Sequence, residues 1–226
     1  MGNQSTIFAI VYVGGMRRSE VRCRGMGYGA MEAVKFNLQA LAKGSATKKA
    51  NAVAAIACGA LPGILIALLA PPTALKWVAG LLLGILYANW FEYAYHRYLL
   101  HRPKSSFARE HLRHHMSVGT PEEPEFLNLG RSPLSVALMF IVNSPVVALV
   151  SLLLGVRIAP GMLVGFTVYF LVTEEIHWRM HTHEWLPRFL KKATSFHLAH
   201  HDVPGSRFSI FLPIWDVILG PVPHEH

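Results

Sequence analysis

The sequence predicts an all-α membrane protein, with four transmembrane helices in two hairpins and a histidine-rich helical cap on one side. Three observations carry that expectation. Hydrophobic residues make up 52% of the 226-residue chain and charged residues 15%, a balance that suits a bilayer better than water. Four apolar runs each hold roughly twenty residues, enough for about 30 Å of hydrocarbon at 1.5 Å per residue. The basic residues also fall unevenly between the two sides that such spans define.

Taken in order, residues 1–50 form a basic N-terminal segment, poorly ordered or lying as an interfacial helix, ahead of a membrane domain over 51–226. Ile7–Val13 is apolar but too short to span. Arg17, Arg18, Arg22 and Arg24 follow it, the reverse of a signal peptide's order. Met31 marks a change of texture that suits an alternative start, and Met31–Leu41 suits a short amphipathic helix on the membrane surface. Asn51–Ala70 carries no charge and is the first span; Pro71 and Pro72 end it. Ala74–Tyr95 is the second, with Trp77 and Trp90 placed as interfacial aromatics. The connection is short, so the two form a hairpin. Pro133–Leu154, interrupted by Asn143-Ser144-Pro145, and Ile158–Ile176 form the other. The closing apolar stretch Phe208–Leu219 is too short to span; it packs against the site or lies in the interface.

Of the 21 Lys and Arg residues, eight precede the first span, six lie in 97–132 and five follow the fourth. The hairpin turns carry only Lys76 and Arg157. The positive-inside rule then puts both termini and the central segment in the cytosol. The membrane would be the inner membrane of a bacterium or the endoplasmic reticulum of a eukaryote. The net charge of +8 does not signal nucleic acid, because no compact basic stripe is interleaved with aromatics. Cys23 and Cys58 fit neither a disulfide framework nor a thiolate metal site.

Eleven of the thirteen histidines lie in clusters; only His224 and His226 stand apart. His111/His114/His115 and His197/His200/His201 are both H-x2-H-H, and His177 and His181 are four apart, so each set shares one helix face. His96 and His101 are five apart and converge only if the helix bends or ends between them, with Pro103 nearby. A single histidine beside an apolar run is usually a satisfied polar residue. Ten in four spaced groups would be costly to bury together without a cation. Ten imidazoles exceed the four ligands of a structural zinc site, so two metal ions are the economical reading: a dinuclear centre in the cytosolic cap. Glu92, one turn before His96, either orients a ligand or sits at the interface. Glu174 and Glu175 precede His177; carboxylates at membrane depth are costly, so functional use is expected, and Glu174 is a candidate catalytic residue. Trp90, Phe91, Tyr95 and Trp178 either line a path into the site or stand as interfacial aromatics.

The order H-x4-H, H-x2-H-H, H-x3-H, H-x2-H-H between hydrophobic hairpins resembles the fatty acid hydroxylase superfamily of membrane oxygenases. The resemblance covers about residues 75–220. E-Y-A-Y-H-R-Y-L-L-H and the H-x3-H group are most like its fatty acid and ceramide 2-hydroxylase branch. I-W-D-V-I-L-G, with Asp216, resembles a W-D-x-x-x-G element of that family and makes Asp216 a second candidate catalytic residue. The resemblance implies a di-iron centre held by His96, His101, His111, His114, His115, His177, His181, His197, His200 and His201, with zinc as a substitute in purified protein. It implies hydroxylation of a lipid acyl chain with O2. The chain has no H-P-G-G haem motif, so the expected electron donor is separate: cytochrome b5-like, a ferredoxin or a reductase. Glu174 stands where that branch usually has Asp, and His183 is extra to the pattern. The same superfamily supplies the alternatives of a desaturase or a sterol or carotenoid hydroxylase. Outside it stand a zinc-dependent membrane hydrolase, for which ten histidines are excessive, and a metal transporter, which would place ionisable residues mid-membrane.

Overall fold

The computed structural model describes residues 36–101, 106–153, 157–203 and 205–220. Ile7–Val13, the four arginines after it, Met31, Pro103, His224 and His226 lie outside them. Among the described residues all regular structure is helical, and four helical segments are long and apolar enough to cross a membrane.

The first of these, Leu38–Leu69, joins α1 (Leu38–Ala55) to α2 (Leu61–Leu69) through a π-turn at Ile56–Ala60. Asn37 starts it, its side-chain oxygen accepting from Gln39 N at 2.9 Å. This helix therefore begins well before the apolar run and crosses residue 50 without a break. Two lysines of this helix are paired with carboxylates of other segments. Lys43 pairs with Glu125, and Lys48 reaches Glu175 at 2.8 Å while lying 4.6 Å over the Trp178 ring.

The second, Ala74–Leu100, is α3 (Ala74–Tyr95) followed by a π-turn at His96–Leu100. The third is α5 (Pro133–Leu153). Pro145 lies inside it yet the helix continues; just before it, Asn143 Nδ2 donates to Met139 O and Ser144 Oγ to Phe140 O, both at 2.7 Å. The fourth, α6 (Ala159–Thr182), is the central helix: 67% of its most apolar window is buried, against 17–22% for the others.

The hairpins pack across one another. The main partner of α3 is α6, and α1 lies along α5. At the α3–α6 seam backbone meets backbone: a Cβ on Gly84 would strike the Met162 carbonyl, and one on Gly165 the Leu81 carbonyl. Above this seam, Ala88, Val136, Phe140, Phe166, Tyr169 and Phe170 form the largest apolar cluster.

The cap consists of α4 (Ser106–Ser117), a 3-10 turn at Glu123–Phe126, α7 (Lys191–Asp202) and the short α8 (Ile214–Leu219). Of the closing apolar stretch, Phe208 and Ile210 are buried, whereas Val217 and Ile218 on α8 are exposed.

Candidate metal centre

Three helices and one π-turn deliver the histidines. A π-turn pairs residue i with i+5, so it stacks His101 over His96, which a straight α-helix would hold apart. α4 supplies His111, His114 and His115; α6 supplies His177 and His181; α7 supplies His197, His200 and His201.

The ten rings form two groups of five. His96, His101, His111, His115 and His200 make one; His114, His177, His181, His197 and His201 make the other. In each, one ring nitrogen per residue lies within 4.8 Å of the same atom on the other four. Each H-x2-H-H box is thus divided: its i, i+4 pair serves one group and the histidine between them the other.

The chemistry of these donors asks for a cation. His96 donates through Nδ1 to Phe208 O, His200 to Ser206 O at 2.6 Å and His177 to Leu127 O at 2.8 Å. A neutral ring that donates at Nδ1 presents only a lone pair at Nε2. In the first group, His111 Nε2 lies 2.9 Å from His96 Nε2, 3.0 Å from His101 Nε2 and 3.0 Å from His115 Nε2. One N–H cannot serve three neighbours. His114 is buried with neither ring nitrogen hydrogen-bonded. Ligands about 2.1 Å from a common ion and at right angles stand about 3.0 Å apart, which matches these spacings. The residues present therefore fit a metal ion in each group.

Burial and neighbouring imidazoles keep the rings in the neutral, ligating form. Burial, then His200, pushes His101 down to about 4. Burial, with His200 and His101 next, pushes His115 down to about 3. His114 and His197, fully enclosed, are also held well below the usual imidazole range.

Sequence reasoning missed the residues that aim these rings. Glu123 is 3% exposed; it accepts from His181 Nδ1 at 2.7 Å and, through its other oxygen, from Gly119 N at 2.8 Å. Burial raises its carboxyl to about 7. Glu123 lies in an acidic stretch beside Pro124, where no ligand spacing marks it. The carbonyls of Leu127, Ser206 and Phe208 leave no mark in a sequence.

Neither candidate catalytic carboxylate touches a histidine. Glu174 accepts from Leu129 N at 3.0 Å. Asp216 accepts from Phe208 N at 2.7 Å and Ser209 N at 2.9 Å. Glu92 likewise meets no imidazole; it accepts from Ile210 N at 2.7 Å and from the Tyr169 hydroxyl. Glu175 pairs with Lys48 and Arg179. His183 lies outside both groups and ends α6 in the left-handed conformation, φ 56°.

A cavity of about 420 Å³ runs from the histidines into the bundle. His96, His111, His114, His177 and His197 line its polar end. Ala88, Phe91 and Tyr95 of α3, Val136 and Met139 of α5, and Phe166, Tyr169 and Phe170 of α6 supply much of its apolar wall, and Glu92, Ser135 and Thr173 are among its polar residues. Of the expected path residues, Phe91 and Tyr95 are there. Trp90 is 42% exposed on the outer surface, and Trp178 sits beneath Lys48 with its Nε1 donating to Glu184.

Comparison with known proteins agrees with this geometry. The solved structure of full-length scs7p, in which only the hydroxylase domain is visible, aligns with a TM-score of 0.53 at 24% identity, a likeness of fold. The alignment covers 71% of this chain and 61% of that one, so the chain spans less than two thirds of its length. No curated protein sequence matches. Residues 81–221 match the fatty acid hydroxylase family, and that stretch contains all ten clustered histidines and the cavity's α3, α5 and α6 walls; the chain is a member of the fatty acid hydroxylase family.

Proposed function

We propose that the protein hydroxylates the acyl chain of a membrane lipid, of fatty acid or ceramide type, at a pair of iron ions held by the two histidine groups. The observation that carries this reading is the continuity of a largely apolar cavity with ten imidazoles that converge from the ends of two spanning helices and from the cap. Bound iron would supply the redox chemistry of O2 activation, which zinc lacks. One oxygen atom enters a C–H bond, and the other leaves as water with two electrons and two protons from a separate donor.

The chain's own residues bind, orient and exclude water. Phe91, Met139, Phe166 and Phe170 give an acyl chain apolar contact on several sides. The Nδ1 donors to Phe208, Ser206 and Leu127 carbonyls fix ring tautomer and direction. The placement of Lys and Arg supports a cytosolic metal centre with both termini on that side.

The test compares the lipids of cells expressing the wild type and His200→Ala. The expected result is a product one oxygen heavier than its precursor, absent with the variant, and iron in anaerobically purified wild type. A product lacking two hydrogens would make the enzyme a desaturase. Full turnover by the variant would overturn the ligand assignment.

A further inference from the structure

We propose that each histidine group is braced by its own backbone loop, and that Asp216, Glu92 and Glu174 are positioning residues that hold these loops. The inference rests on the reading that both groups bind metal ions.

Residues 206–212 serve only the first group. Their Ser206 and Phe208 carbonyls take the Nδ1 protons of His200 and His96. The Phe208 ring packs edge-on against His96, His101 and His200, with centroids 5.6–5.8 Å apart. Three successive amides of this loop are then fixed by two carboxylates. Phe208 N and Ser209 N donate to the two oxygens of Asp216, and Ile210 N donates to Glu92. Glu92 is itself held by the Tyr169 hydroxyl, which accepts from Asn89 Nδ2 at 2.7 Å. The loop is thereby tied to the α3–α6 pair.

Residues 119–130 serve only the second group. Leu127 O takes the proton of His177 Nδ1, and Glu123 faces His181 Nδ1. Glu174, on the same helix as those two histidines, accepts from Leu129 N. Among the described residues, no hydrogen bond joins either loop to a ring of the other group. The same plan is therefore used twice: a carboxylate fixes loop amides, and the loop fixes two of the five rings. Loss of such outer partners typically weakens metal affinity 10–100-fold. That loss should fall on one ion at a time.

The test measures metal per chain in the full-length protein, equilibrated at a free iron concentration a few-fold above the wild-type dissociation constants. Wild type should hold two ions. Asp216→Asn puts an amide NH2 against one of two backbone N–H groups, so it should hold one. Glu174→Leu, which removes the acceptor for Leu129 N, should also hold one. Combination assigns the ion lost. Asp216→Asn with His200→Ala should still hold one, because both act on the same group. Asp216→Asn with His177→Ala should hold none. General unfolding would instead lose both ions in every combination.

Two ions retained by Asp216→Asn, or none by its combination with His200→Ala, would overturn the proposal. If Asp216→Asn does not accumulate in the membrane, stepwise chelation of the wild type decides. Amide protection of 208–210 should be lost with one ion and that of 129 with the other; loss of both in one step overturns the bracing. Fewer than two ions in the wild type would instead sink the metal reading beneath it.

Discussion

His183 and His181 are two residues apart and do different work. His181 faces the second group and Glu123; His183 ends α6 at φ 56° and meets neither group. Replacing His183 with Gly, which takes positive φ without strain, should leave metal content unchanged and raise the melting temperature slightly, read by metal analysis and a thermal scan. Ala88, 3% exposed at the cavity wall, is a contrasting position. Ala88→Phe would project a ring into the cavity. Hydroxylated long-chain product should fall by an order of magnitude or more while both ions stay bound, measured by lipid mass spectrometry beside metal analysis. An unchanged product profile would remove the acyl chain from this cavity.

At the scale of the element, the spans and the histidine-bearing faces were legible because helical periodicity and hydropathy are local properties. The π-turn at His96–Leu100 was not. H-x4-H required a bend or an end, and the chain uses a wider turn instead. Inserting an alanine after Leu99 would put His101 six residues beyond His96, a spacing that neither an α-helix nor a π-turn brings onto one face. The expected outcome is loss of the ion of the first group with α3 intact, seen as about one ion per chain with unchanged helical circular dichroism. The division of each H-x2-H-H box between two groups was equally hidden, because same-face spacing cannot say which of two neighbouring centres a ring serves. Glu174 and Asp216 stood out by position, but their partners are backbone amides far along the chain or around a turn, which no spacing rule reports. Asn143-Ser144-Pro145 reads as an interruption, yet α5 runs through it from Pro133 to Leu153.

For the whole molecule, burial and charge act together. The central α6 gathers the other spans, and in the sequence nineteen of the 21 Lys and Arg residues fall outside the two hairpin turns. Cysteines placed singly at Lys76, in a hairpin turn, and at Lys192, on α7, should react with a membrane-impermeant maleimide from opposite sides of sealed vesicles. Reaction from the same side would overturn the cytosolic placement. The α3–α6 seam carries the contact on which this arrangement turns. Gly165→Leu would force its side chain into the Leu81 carbonyl, and overpacking of this kind costs about 1–3 kcal/mol. A lower unfolding midpoint in mild detergent is expected.

That seam also shapes what can enter. One helical turn above Gly84 and Gly165 the cavity is lined by Ala88 and Tyr169; the glycines themselves, where backbone meets backbone, do not line it. A hydrocarbon tail placed between α3 and α6, as proposed above, would meet a dead end on the side facing the hairpin turns. The glycine floor would then act as a doorstop, limiting how deep a tail can be pushed and so which methylene comes to rest beside the imidazoles.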